Sequence, residues 1–172
     1  MTHTLILGGI RSGKSAQAER AAAASGAPVL YLATGTAGDT EMAERIRRHR
    51  ERRPADWGLV EEPLALAAVL RDHASQAPCL LIDCMSLWLS NLLHAGGPVL
   101  ERELDDFLQT LASYPGPVVI VSNEVGLGTI AMDPLTRRFV DRLGWLNQAL
   151  AGHCQRVIFV AAGLPLTLKE PT

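Results

Sequence analysis

Residues 4–15 read Thr4-Leu5-Ile6-Leu7-Gly8-Gly9-Ile10-Arg11-Ser12-Gly13-Lys14-Ser15. A short apolar run suited to a buried strand enters a glycine-rich turn. The turn then opens a helical, alanine-rich stretch over 15–24 that stops at Gly26. Gly8, Gly13, Lys14 and Ser15 fall on the spacing G-x-x-x-x-G-K-[ST], between strand and helix as a phosphate loop requires. Such a loop turns the backbone N–H groups of Gly8, Gly9, Ile10, Arg11, Ser12 and Gly13 around phosphate oxygens. Lys14 reaches the outer phosphates as a point charge, the Ser15 hydroxyl is suited to a Mg²⁺ ion, and the helix start adds its positive end.

Downstream, apolar runs at 29–32, 79–82, 118–121 and 157–160 alternate with helical segments. The spacing predicts helices over 40–53 (stopped by Pro54), 64–74, 87–93 and 100–112, and from Pro134 to about residue 151. Near-continuous apolar strands joined by helices imply an α/β fold with a mostly parallel sheet covered on both faces. No repeat or linker interrupts the chain, so one domain over 1–172 is expected. Ligands in such a sheet sit beyond the carboxyl ends of the strands, which gathers the segments after Leu7, Leu32, Ile82, Val121 and Val160 around one site. Asp83, ending the run 79–82, is the acid expected to complete the Mg²⁺ site with Ser15. The lesser alternative is an ordinary strand-end residue that caps the next helix.

A net charge of −2 argues against a general nucleic-acid binder. With 48% apolar residues, the 172-residue chain can form a core. No stretch approaches the length of a membrane span, and no basic leader precedes the short run 5–7. The three cysteines, Cys79, Cys84 and Cys154, follow no metal spacing and read as reduced thiols, so a cytoplasmic protein is expected.

A phosphate loop leaves many chemistries open. The N-K-x-D signature of a regulatory GTPase is absent; Asn123-Glu124 stands near its place without the lysine or aspartate. On the helix expected over 40–53, Met42, Ile46 and His49 share one face, while Arg45, Arg52 and Arg53 surround His49 at helical neighbour positions. Flanking guanidiniums lower a histidine pKa and keep the ring neutral and nucleophilic. They can also hold a triphosphate beside it. A solvated basic helix that happens to carry a histidine, or one that touches RNA, fits the same spacing.

Taken together these residues resemble the bifunctional adenosylcobinamide kinase / adenosylcobinamide-phosphate guanylyltransferase family of cobalamin biosynthesis. The likeness spans the loop at 8–15, Tyr31-Leu32-Ala33-Thr34, Asp39-Thr40-Glu41-Met42, His49, Arg53-Pro54-Ala55 with Trp57, Asn91-Leu92-Leu93, Ser122-Asn123-Glu124-Val125-Gly126-Leu127-Gly128, Arg138-Phe139 and Asn147-Gln148. It implies a RecA-like P-loop NTPase fold and two activities on a corrinoid: phosphorylation of adenosylcobinamide by ATP or GTP, then GMP transfer from GTP. It implies that His49 is the residue guanylylated, with Arg48 standing where some members carry a second histidine. It further implies nucleotide contacts from Ala33, Thr34, Gly35, Arg50, Glu51, Arg52, Arg53, Glu61 and Asp83, and a homo-oligomer, the family's trimer. The competing enzyme is a P-loop kinase of another small hydroxyl substrate; the competing binder is a nucleotide-dependent switch.

Overall fold

The structure is a computed structural model that describes residues 2–36, 44, 47, 54–128 and 132–171. Seven strands form one sheet in the order β3-β2-β4-β5-β1-β6-β7. These are β1 (His3–Gly8), β2 (Val29–Ala33), β3 (Gly58–Glu61), β4 (Cys79–Asp83), β5 (Val118–Asn123), β6 (Arg156–Ala161) and β7 (Leu164–Lys169). The first six pair in parallel; β7 returns antiparallel on β6. The expected mostly parallel sheet is therefore present. Its five apolar strands were legible as runs, whereas β3 and β7 are additions at the two edges.

Alternation across β1 sends Leu5 and Leu7 into one core and Ile6 into the other. The Leu5 side is covered by α2 (Leu66–His73), α3 (Met85–Ala95), α4 (Gly97–Ser113) and α5 (Pro134–His153). The Ile6 side is covered, among the described residues, by α1 (Lys14–Ala23), whose Ala18 and Ala22 are fully buried against it. Alanine on that stripe lets α1 lie close to the sheet just below the phosphate loop. Trp88 in α3 is fully buried, its ring meeting Phe107 of α4 edge-on at 5.1 Å while its indole N–H donates to the Leu64 carbonyl at 2.7 Å. The helix expected to begin at residue 100 starts earlier, at Gly97, because Pro98 suits a first helical turn. No described helix is long and apolar enough to cross a membrane.

Candidate active site

Strand β1 delivers the chain to the phosphate loop, and the loop's glycines answer to crowding. A Cβ on Gly8 would stand 2.5 Å from both Ser12 Oγ and the Val160 carbonyl oxygen, so no other residue fits without moving backbone. Gly13 has φ 97°, in the left-handed region, and a Cβ there would come within 3.1 Å of Gly163 Cα. The loop is closed by Ser12 N–H to the Gly9 carbonyl at 3.3 Å and tied outward on both sides. Glu124 N–H, at the tip of β5, donates to the Gly8 carbonyl at 3.0 Å, and Gly163 N–H donates to the Ser12 carbonyl at 2.8 Å. Ile10 and Arg11 form the exposed outer rim.

No side chain caps α1, whose N-cap is Gly13. Its first-turn N–H groups are thus open to an anion, as helix starts commonly are. Lys14 is half-buried and its ammonium donates to the Gly9 carbonyl at 3.0 Å. Burial lowers its pKa, while the negative charge of Asp83 opposes that shift. Ser12 Oγ is buried and has no hydrogen-bond partner among the described residues.

Asp83 ends β4 where the sequence placed it. Tyr31, buried on β2, donates its hydroxyl to Asp83 Oδ2 at 3.0 Å and so orients the carboxylate. Ser15 at the start of α1 and Asp83 give a hydroxyl and a carboxylate, a donor set suited to Mg²⁺, which takes few protein oxygens and completes its shell with phosphate and water. Among the described residues no cluster of three or more His, Cys, Asp or Glu could hold a metal by itself.

Of the other expected contacts, Ala33 closes β2 and pairs in register with Glu61 on β3 and Asp83 on β4, so these three stand on neighbouring strand ends. Thr34 is fully buried and its hydroxyl is spent on the fold. It donates to the Cys84 carbonyl at 2.8 Å and accepts from Cys84 N–H at 2.9 Å. Gly35 follows it into the loop leaving β2. His49, Arg50, Glu51, Arg52 and Arg53 lie outside the described residues. From the same stretch Glu44 and Arg47 have helical backbone and form an ion pair at 2.6 Å.

The structure also reveals a polar chain behind the site to which sequence reasoning gave no role. Asn91 of α3 donates to the carbonyls of Thr34 at 2.8 Å and Pro63 at 3.1 Å. Ser86 Oγ accepts from Asn123 at 2.6 Å and lies 3.1 Å from Cys84 Sγ. Asn147, buried in α5, accepts from Ser122 at 2.6 Å and donates to the Asn123 carbonyl at 3.1 Å. These contacts join the ends of β2, β4 and β5 through side chains. Asn91, Asn123 and Asn147 carry a readable signal, since an amide in an otherwise apolar helix or strand end needs buried partners.

A profile of the family described as cobinamide kinase / cobinamide phosphate guanyltransferase matches residues 4–168. A Pseudomonas aeruginosa protein named bifunctional adenosylcobalamin biosynthesis protein CobP is 56% identical over 97% of this chain and 98% of its own length. A Salmonella typhimurium protein named bifunctional adenosylcobalamin biosynthesis protein CobU is 37% identical over 96% of this chain and 98% of its own. Among solved structures the RadB recombinase is similar with a TM-score of 0.50 at 16% identity, covering 92% of this chain and 73% of its own. The ATPase EscN of the enteropathogenic E. coli type III secretion system reaches 0.55 at 12% identity, covering 94% and 43%. At those identities the two structures speak for the fold alone. The phosphate loop, the acid at the end of β4 and the near full-length match converge, and the chain belongs to the cobinamide kinase / cobinamide phosphate guanyltransferase family.

Proposed function

We propose that one catalytic domain over 1–172 performs both family activities. It phosphorylates adenosylcobinamide with ATP or GTP, then transfers GMP from GTP to that phosphate, giving adenosylcobinamide-GDP and pyrophosphate. The observation that carries this reading is the phosphate loop with an uncapped helix start, and Asp83 near enough for its charge to act on Lys14. Ser15 and Asp83 would hold Mg²⁺, which when bound supplies positive charge to the phosphoryl oxygens.

In the first reaction the corrinoid hydroxyl oxygen forms a bond to the γ-phosphorus. The bridging bond to the β-phosphate breaks, the nucleoside diphosphate leaves, and the hydroxyl proton is released to solvent. Loop N–H groups and Lys14 hold the charge that gathers on the phosphoryl and leaving oxygens. In the second reaction a neutral nitrogen of His49 attacks the α-phosphorus. The α–β bridging bond breaks, pyrophosphate leaves held by the loop and Lys14, and the imidazole releases its ring proton. A phosphate oxygen of the corrinoid then attacks the same phosphorus, the P–N bond breaks, and His49 regains a proton. Splitting one displacement into two suits a nucleophile kept neutral by Arg45, Arg52 and Arg53. The arginines at 50, 52 and 53, with Glu51, Glu61 and the backbone at Ala33, Thr34 and Gly35, contact the nucleotide in this reading. Thr34 does so without its hydroxyl, which is engaged with Cys84. The protein works in the cytoplasm as a homo-oligomer, a trimer; the exposed Leu164, Leu166 and Leu168 along edge strand β7 support association.

The test is to incubate the protein with Mg²⁺ and GTP labelled at the α-phosphate, then denature it. Wild type retains label that is acid-labile and base-stable, and His49→Ala retains none while staying folded. Label persisting in His49→Ala would move the nucleophile elsewhere, and none on wild type would remove the covalent route. Lys14→Ala loses kinase activity by about a hundredfold or more, the loss of one charged contact to the transferred group.

A further inference from the structure

Gly163, in the segment that follows Val160, touches the phosphate loop in two ways. Its N–H donates to the Ser12 carbonyl at 2.8 Å. Its Cα fills the space that a Cβ on Gly13 would need, at 3.1 Å. It is the second residue of the two-residue turn joining β6 to β7, closed by the pairing of Ala161 with Leu164. Ala162 and Gly163 have φ of 51° and 80°, both left-handed, which is the geometry of a type I′ hairpin turn. The neighbouring Val160 carbonyl is what a Cβ on Gly8 would strike, at 2.5 Å. The hairpin end is thus one wall of the phosphate loop, in contact at Gly8, Ser12 and Gly13.

The peptide joining Ser12 to Gly13 is a rigid trans plane, so its C=O and N–H point in opposite directions. Fixing the Ser12 carbonyl on Gly163 fixes the Gly13 N–H away from the hairpin. Gly13 carries no Cβ to resist rotation of that plane, and Arg11 at φ 55° shows that the loop already uses left-handed backbone. Without an outside anchor the plane can turn over and present a carbonyl oxygen to a phosphate.

We propose that Gly163 is a positioning residue for the triphosphate: its N–H locks the Ser12–Gly13 peptide so that the Gly13 N–H faces the phosphate. The inference rests on the reading of this loop as the nucleotide site. It adds that β7, by pairing with β6, holds the turn against the loop.

Cys154 lies nine residues before Gly163 and permits a traceless test. Residues 1–153 are joined as a thioester to a synthetic peptide 154–172 that begins with the native cysteine. In one product glycolic acid replaces Gly163, turning its amide into an ester that keeps the shape and removes only the donor. In a second product D-alanine replaces Gly163, keeping the N–H and favouring a positive φ. Affinity for inorganic triphosphate and for GTP is measured, with steady-state constants for the kinase reaction. The ester protein binds both ligands about tenfold more weakly, the order expected for one lost hydrogen bond. Its KM for nucleotide rises with kcat within about twofold, because the contact is made in ground and transition states alike. The D-alanine protein rescues affinity. A wild type that binds triphosphate beside a folded ester protein that binds equally well would sink this inference alone. A lower kcat at unchanged KM would mean that the contact acts only in the transition state and would also overturn it. A wild type that binds neither ligand removes the nucleotide reading and this one with it. Amide exchange on the unaltered protein decides the case if the ester protein does not fold. The Gly163 N–H is protected and becomes more so with saturating GTP, whereas free exchange in both states refutes the lock.

Discussion

Two glycines one position apart, Gly8 and Gly9, separate what the phosphate loop needs from what it tolerates. An alanine Cβ at position 8 would meet the Val160 carbonyl oxygen at 2.5 Å, and that oxygen belongs to strand backbone. At position 9 a Cβ meets nothing within 4 Å. Gly8→Ala is therefore expected to destabilise the protein by about 1–3 kcal/mol, the usual cost of forced overpacking, and to weaken nucleotide binding. Gly9→Ala is expected to unfold at nearly the wild-type denaturant midpoint. Urea titrations of both variants check this, and equal midpoints would mean that the loop shifts freely off β6. The motif spacing singles out Gly8 and leaves Gly9 as any loop residue, and the geometry gives the physical reason. The same holds for Thr34, whose place beside the nucleotide was read from resemblance. That its hydroxyl would be consumed by the Cys84 backbone depends on how β2 and β4 align, and no local pattern encodes that alignment.

Among the elements, β1, β2, β4, β5 and β6 announced themselves as apolar runs because each is buried between two neighbours. Strand β3 is four residues long, mostly exposed and held by one neighbour, so its sequence Gly-Leu-Val-Glu has no buried face to reveal. Strand β7 alternates Leu164, Leu166 and Leu168 behind a left-handed Ala162-Gly163 turn, a hairpin signal overshadowed by Pro165, which an edge strand accommodates. The N-terminal end of β1 carries its own titratable joint. His3 is buried where β1 meets the end of α4; its Nε2 is 3.1 Å from the Leu111 carbonyl and Nδ1 has no partner among the described residues. Burial, above all, lowers its pKa below 6.5; the Leu111 hydrogen bond opposes this, and the charges of the N-terminus and His153 add to it. Above pH 6.5 both folded and unfolded chains hold His3 neutral, and its packing contributes in full. As pH falls through 6.5 the unfolded chain takes up a proton that the folded chain refuses, so stability drops, at most about 1.4 kcal/mol per pH unit for one group. Calorimetry at pH 7.5, 6.5 and 5.5 should show a falling Tm, with a shallower decline in His3→Gln. Parallel declines in the two proteins would assign the acid sensitivity to other groups.

One sheet forms a wall shared by two cores, and the three cysteines report on both. Cys79 and Cys84 lie in the core beneath α1, Cys154 in the core beneath α2–α5, and all three are buried free thiols. Burial chiefly raises all three pKa values, with the charge of Asp83 adding to the effect at Cys84 and the Cys154 thiol pushed up to about 12. Modification requires both access and thiolate, and the folded molecule withholds each. At pH 8 the native protein should therefore react with a thiol reagent far more slowly than the unfolded chain, which yields all three groups at once. If the domain opens as a unit, Cys79 and Cys154 react at the same rate, set by global unfolding. Cys154 reacting alone would instead mean that the α2–α5 layer separates from the sheet while α1 stays docked. Cys84 carries the further reading. It hydrogen-bonds to Thr34 and Ser86 and directly follows Asp83, so it sits where the nucleotide site meets the core. Saturating GTP should slow Cys84 more than it slows Cys154, because ligand suppresses local opening at the site as well as global unfolding. Equal slowing of the two would show that Cys84 is reached only through global unfolding, and that the strand ends and the core behind them move as one body.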